Sequence, residues 1–192
     1  MEKKFNNGIT VILCTLNSEK DVSRVLSSLL SNESPPDQII VTDGGSVDNT
    51  VQIAKKFTQY VITSEKGFVN QVKNALELIK YDKILGVECD HFYPKNFIVD
   101  LINEKYRFNY DIIQGSLSCY FTETYWEKAY SYFYSKHQEI KGLKTVLSGP
   151  NLWDTDLFIE VWGALSNDLS FAVDTSLSDI LIKKNKKFGL GY

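Results

Sequence analysis

Asp43 opens the run Asp43-Gly44-Gly45-Ser46-Val47-Asp48-Asn49-Thr50, directly after the apolar stretch Gln38-Ile39-Ile40-Val41-Thr42. A buried strand ending in a carboxylate and a glycine turn, with Asp48 set to cap the next helix, is one way for a sheet edge to hold a nucleotide. The run Lys83-Ile84-Leu85-Gly86-Val87 also ends in acid, as Glu88-Cys89-Asp90. Two residues apart at a strand end, these acids face one side, roughly 7 Å apart along an extended chain. One carboxylate can accept from ribose hydroxyls while the other joins diphosphate oxygens and waters around Mg²⁺ or Mn²⁺. Such an ion stabilises a departing nucleoside diphosphate. Asp174, delivered by Phe171-Ala172-Val173 to the start of a helical pattern, is placed to take the proton of an attacking hydroxyl. Each acid alone has a plainer reading: a turn and cap for Asp43, a solvated strand end for Glu88 and Asp90, an N-cap for Asp174. In this order they suggest chemistry on a nucleotide-activated sugar.

The elements that must position these acids are legible from periodicity. Residues 9–15 form a β-favouring run, then Ser18 stands as an N-cap before Val22, Val25, Leu26, Leu29 and Leu30 at helical spacing. Pro35-Pro36-Asp37 breaks the chain before a strand over 38–42, and Val51, Ile53, Ala54 and Phe57 mark a second helix. A short strand over 60–63, a helix carrying Val69, Val72, Ala75, Leu76 and Ile79, and a strand over 83–87 repeat the unit. Repeated β-α-β units predict an α/β fold, a mostly parallel sheet with helices on both faces and ligands at the carboxyl ends of its strands. Beyond Pro94 the pattern loosens into a helix near 96–104, a strand near 111–119 and an aromatic helix over 124–137. A strand or turn over 147–153 and helices around 157–162 and 175–184 follow. No internal repeat or low-complexity linker is present.

The 192 residues fit one domain with a core that needs no disulfide or metal staples. With 21 basic against 24 acidic residues, the chain lacks the electrostatic footprint of a nucleic-acid binder, and small ligands are expected instead. Arginine occurs only as Arg24 and Arg107, so phosphate would be met by lysine, metal or backbone. Cys14, Cys89 and Cys119 form no CxxC pair and lie in apolar runs, as buried thiols of a reducing compartment do. The apolar stretch near the start is short for a signal core, and no run reaches the length of a membrane helix. A soluble cytoplasmic protein is expected.

Over nearly its whole length the chain resembles a family 2 glycosyltransferase of the GT-A fold, a Rossmann-like architecture. Val11-Ile12-Leu13-Cys14-Thr15-Leu16-Asn17 is similar to the family's opening strand, the Asp43 run to its nucleotide loop, and Glu88-Cys89-Asp90 to its DxD. Gly149-Pro150-Asn151 and Val173-Asp174-Thr175-Ser176-Leu177 resemble its acceptor loop and base motif. The resemblance implies a nucleotide-binding half over 1–93 and an acceptor-binding half over 94–192 of a single domain. It implies a nucleotide site lined by Thr15, Asn17, Asp43, Gly44, Ser46 and Glu88, with Lys73 where relatives usually carry arginine. Asp90 would hold Mn²⁺ or Mg²⁺, and Asp174 would be the base of an inverting transfer from a nucleoside-diphosphate sugar, UDP favoured. The acceptor would be a glycan, a protein or a lipid-linked hydroxyl, met by Asn151 and Trp153. Three departures stand out: glutamate opens the DxD, valine at 173 replaces a common acid, and the chain ends soon after the base helix. Such shortness suits a minimal stand-alone enzyme of the kind some viruses of archaea carry, working in host cytoplasm, or a fragment.

Other residues have competing readings. His91 beside Asp90 hints at a transition-metal site, yet neighbours on a strand face opposite ways. His137 reads as a surface or capping residue. The aromatic series Tyr120, Phe121, Tyr125, Trp126, Tyr130, Tyr132, Phe133 and Tyr134 is too dense for core alone, leaving a sugar platform, a homodimer face or a peripheral membrane contact. Lys183-Lys184-Asn185-Lys186-Lys187 complements a helix C-terminus or attracts an anionic membrane. A nucleotidyltransferase would need a glycine-rich basic loop where Thr15-Leu16-Asn17-Ser18 stands. The remaining alternative is a degenerate relative that binds nucleotide or glycan without turnover.

Overall fold

The computed structural model describes residues 4–115, 149–169 and 172–191. Its strands are β1 (Asn6–Thr15), β2 (Gln38–Asp43), β3 (Tyr60–Thr63), β4 (Tyr81–Val87), β5 (Ile112–Gly115), β6 (Asn151–Asp154) and β7 (Phe188–Gly191). Its helices are α1 (Val22–Leu30), α2 (Thr50–Ala54), α3 (Phe68–Ala75), α4 (Phe97–Phe108), α5 (Thr155–Gly163) and α6 (Val173–Lys183). A 3₁₀ turn, Leu76–Leu78, extends α3.

The strands form one sheet in the order β3-β2-β1-β4-β6-β5-β7. Only β6 runs antiparallel to its neighbours, β4 and β5. Asn151, at the start of β6, therefore lies at the same edge as the carboxyl ends of the parallel strands, opposite Gly86 of β4. Residues from both halves of the chain share this sheet.

Alternation along each strand sorts side chains to two buried faces. Val11, Leu13, Val41, Leu85 and Leu152 pack against Val22, Val25, Leu26 and Leu29 of α1 and Ile98 and Leu101 of α4. Ile12, Ile40, Ile84 and Trp153 pack on the other face against Val69 and Val72 of α3, Phe158 and Trp162 of α5, and Leu177 and Leu181 of α6. Each fully buried Leu, Ile or Val stabilises by about 1.5–3 kcal/mol relative to exposure. The near-continuous apolar runs of β1 and β4 are thus the signature of strands covered on both faces.

The mostly parallel sheet with helices on both faces is as expected, with local differences. Ser18 is not an N-cap by its side chain; its carbonyl accepts from Asp21 and Val22, and Asp21 occupies the cap position of α1. The strand expected over 111–119 is seen as Ile112–Gly115, and residues beyond 115, with the aromatic helix over 124–137 and its series from Tyr120 to Tyr134, lie outside the described residues. β7 was not anticipated, because two glycines in four residues argue against a strand. Gly189 is needed there, since a Cβ would stand 2.1 Å from the Tyr110 ring. The lysine cluster is partly paired, Lys184 with Glu160 and Lys186 with Asp111. Among the described residues no helix is long and apolar enough to cross a membrane.

Candidate active site

The loops after β1 and β2 are stapled to each other by side chains. The buried Asp43 carboxylate accepts from the backbone N–H groups of Gly45 and Ser46, from the Ser46 hydroxyl and from the Thr15 hydroxyl. That fills the four acceptor positions a carboxylate offers. Asn17, held at φ 51°, accepts from Val47 N–H and donates its own N–H to Ser46. Ser18 N–H reaches the Thr50 hydroxyl, and Glu19 N–H reaches Asp48. Asp48 also takes the Thr50 N–H and hydroxyl, so it does secure the start of α2, and these bonds overcome burial to hold its carboxyl below the usual range. Thr15, Asn17, Asp43 and Ser46 are thus brought together as expected, but Thr15 and Asp43 are buried and committed to each other. Gln71, which periodicity alone did not single out, lies against Gly44 and donates to the Thr15 carbonyl.

At the end of β4 the strand stops at Val87, and a turn gathers Glu88, Asp90 and His91, with one ligand atom from each lying within 4.8 Å of the others. Strand alternation, which set His91 apart in the sequence, does not extend past Val87. His91 therefore joins the candidate site, although the sequence pattern argued against it. The Tyr93 hydroxyl closes the turn, accepting from Glu88 N–H and donating to the Glu88 carbonyl, each at 3.0 Å. Arg24 donates to the His91 carbonyl and holds the loop from the α1 side.

Asp90 is exposed, while Glu88 and His91 are partly covered. Burial, then the charges of Asp90 and Asp174, push the Glu88 carboxyl up to about 7. Burial lowers His91 against the pull of Asp90, which favours the neutral imidazole that ligates metal. His91 Nδ1 stands 3.2 Å from Glu88 Oε2, and it is buried with no hydrogen-bond partner among the described residues. Two carboxylates and an unengaged imidazole nitrogen are a donor set that fits a divalent cation.

Asp174 lies in the first turn of α6, whose cap position is held by Ala172 with no side-chain bond. Burial raises its carboxyl, opposed by its own backbone N–H. It and Glu88 line one cleft, bounded by Phe68, Phe158, Trp162, Gly86 and Asn151 among others. Trp153 also lines this cleft, though 1% exposed and set edge-on to Phe158, so it is wall rather than platform. Lys73 is engaged elsewhere, donating to the Leu165 carbonyl and to Asn167 Oδ1, which ties α3 to the segment after α5. The structure therefore groups Glu88, Asp174, Asn151 and Trp153 in one cleft, with Asp90 joined to it through Glu88, and separately Thr15, Asn17, Asp43, Gly44 and Ser46.

Residues 10–156 match the family described as Glycosyl transferase family 2. An uncharacterised glycosyltransferase of Mycoplasma pneumoniae is 32% identical over 116 residues, which are 55% of this chain and 39% of that protein. The poly-beta-1,6-N-acetyl-D-glucosamine synthase of Staphylococcus epidermidis is 29% identical over 89 residues, 43% of this chain and 22% of that protein. The chain thus spans well under half the length of these curated relatives. Among solved structures, glucosyl-3-phosphoglycerate synthase of Mycobacterium tuberculosis, in complex with Mg²⁺ and UDP, superposes with a TM-score of 0.70 at 16% identity. That match covers 96% of this chain and 69% of the other, a likeness of fold.

Proposed function

The chain belongs to glycosyl transferase family 2, and we propose that it moves a sugar from a nucleoside-diphosphate donor, UDP-linked by preference, to an acceptor hydroxyl with inversion. The observation that carries this reading is the cluster of Glu88, Asp90 and His91 at the end of β4, whose Glu88 shares one cleft with Asp174 of α6. The UDP and Mg²⁺ of the mycobacterial relative support the choice of nucleotide and cation.

Asp90 and His91 would hold Mg²⁺ or Mn²⁺, with Glu88 joining once ionised. The ion, when bound, supplies positive charge against the leaving diphosphate. Asp174 accepts the proton of the acceptor hydroxyl; its burial raises its basicity, and it lines the same cleft as Glu88. The Thr15–Asp43 pair fixes the glycine turn, and Asn17, Gly44 and Ser46 present its rim to the nucleoside. Lys73 acts by anchoring α3 beside that rim.

Calorimetric titration with UDP, GDP and dTDP, with and without Mn²⁺, tests the reading. UDP should bind at least tenfold more tightly with Mn²⁺, and Asp174→Asn should keep that affinity while cutting transfer by about 10² to 10⁴. Nucleotide binding with no turnover in the parent chain would favour the non-catalytic alternative, and metal-independent binding would remove Asp90 from its role.

A further inference from the structure

Gly86 sits in register between Ile12 of β1 and Asn151 of β6, at the centre of the sheet edge. A Cβ there would meet nothing nearer than the Asn151 carbonyl, 4.0 Å away, so the missing side chain opens the floor of the cleft. Above that floor runs an aromatic wall: Trp153 on Phe158, Phe158 on Trp162 and Trp162 on Phe68, each pair with ring centroids 5.5 Å apart.

Two polar atoms of this lining have no hydrogen-bond partner among the described residues. They are Asn151 Oδ1 and Trp162 Nε1, both shielded from water, with Trp162 only 5% exposed. The Asn151 amide is oriented by its Nδ2 donating to the Gly149 carbonyl, so the unmet atom is the acceptor. Trp Nε1 can only donate. Buried polar atoms are nearly always paired, and two unpaired ones of opposite sense in one cleft ask for a ligand.

That ligand must donate once, accept once and present an apolar surface to Phe68, Phe158 and Val72. Carboxylates and phosphates offer no donor and meet Glu88 and Asp174 at the same cleft. An ammonium offers no acceptor, and a lone hydroxyl leaves the aromatic wall unfilled. A secondary acetamide meets all three demands, with N–H toward Asn151 Oδ1, carbonyl toward Trp162 Nε1 and methyl against the rings. We propose that this cleft binds the acetamido group of a 2-acetamido-2-deoxyhexose, which makes it a sugar-specificity subsite beside Asp174. This rests on the donor-and-acceptor reading of the site given above.

The test has a donor arm and an acceptor arm. With Mn²⁺ present, calorimetry compares UDP, UDP-glucose and UDP-N-acetylglucosamine. Saturation-transfer NMR compares the methyl glycosides of glucose and N-acetylglucosamine, with UDP and without nucleotide. An acetamido preference of about tenfold is expected in one arm, which identifies the sugar as donor or acceptor. The Trp162 indole N–H resonance, assigned by its loss in Trp162→Phe, should move with the acetamido sugar and not with its hydroxyl counterpart. The preference should fall to near unity in Trp162→Phe, which keeps the ring wall, and in Gly86→Val, which fills the floor. No preference in either arm, or a preference that survives both substitutions, overturns the inference. If UDP fails to bind, the donor reading falls on that result alone, and the glycoside comparison without nucleotide still decides the acetamido subsite.

Discussion

The Thr15 hydroxyl donates to the Asp43 carboxylate at 3.0 Å, joining the ends of β1 and β2 below the glycine turn. With both Asp43 oxygens in full use, the role we propose for this acid toward a nucleotide is to hold the turn. Asp43→Asn replaces two acceptor positions with donors that face N–H or O–H groups. It should cost about 1–3 kcal/mol of stability, the range for a buried polar group left unsatisfied, read as a lowered urea midpoint, and UDP affinity should fall with it. Undiminished stability with lost UDP binding would instead make Asp43 a direct nucleoside ligand.

Lys105 offers a stability test away from the chemistry. Its buried ammonium donates to the carbonyls of Tyr110 and Asp111 and to Asp154, at the end of β6 remote from Asn151. All three of its donors are used, which is how a lysine tolerates burial. Lys105→Met leaves two carbonyls without a donor and should lower stability by about 2–4 kcal/mol. Nucleotide binding of the folded variant, measured well below its melting temperature, should match the parent chain.

How far the sequence revealed this site depends on where regular geometry ends. Asp43 and Asp174 were legible because each stands at the boundary of a periodic segment. Glu88 and Asp90 were found for the same reason, but their extended spacing was superseded by a turn, and that turn brings in His91. Tyr93, whose hydroxyl closes it, carries no sequence signal beyond being aromatic. Trp162 reads as core on an amphipathic helix, and only its unmet N–H distinguishes it. Gly86 looked like an ordinary strand residue, because a missing side chain has meaning only once its neighbours Ile12 and Asn151 are known.

Glu88 should make binding of the proposed cation depend on pH. Its carboxyl is held up to about 7 in the folded chain against an ordinary 4.5, by burial and by Asp90 and Asp174. Between these values the folded chain keeps a proton that the unfolded chain has released. Its contribution to stability is therefore present below about 4.5 and lost as pH rises through about 7. Binding of the proposed cation should run the other way, because only the carboxylate form of Glu88 can ligate. Mn²⁺ affinity, followed by electron paramagnetic resonance, should rise about tenfold from pH 6 to pH 8 and then level off. In Glu88→Gln it should be weaker and nearly flat over that range; a parallel slope in the variant would assign the titration to another group.

His91 should decide which cation the site prefers. Asp90 and Glu88 offer hard oxygen, which serves Mg²⁺ and Mn²⁺ alike, whereas an imidazole nitrogen favours the transition ion. The Nδ1 atom makes no hydrogen bond among the described residues, and burial lowers the proton affinity of the ring, which favours the neutral imidazole that can ligate. His91→Ala should reduce Mn²⁺ affinity by about 10- to 100-fold, the range seen when a metal site loses a supporting group, with a smaller change for Mg²⁺. Pulsed electron paramagnetic resonance of bound Mn²⁺ should show nitrogen coupling in the parent chain and none in the variant. Equal losses for both ions, with no nitrogen coupling in either protein, would place His91 outside the coordination shell and leave it the role of packing the turn against Tyr93.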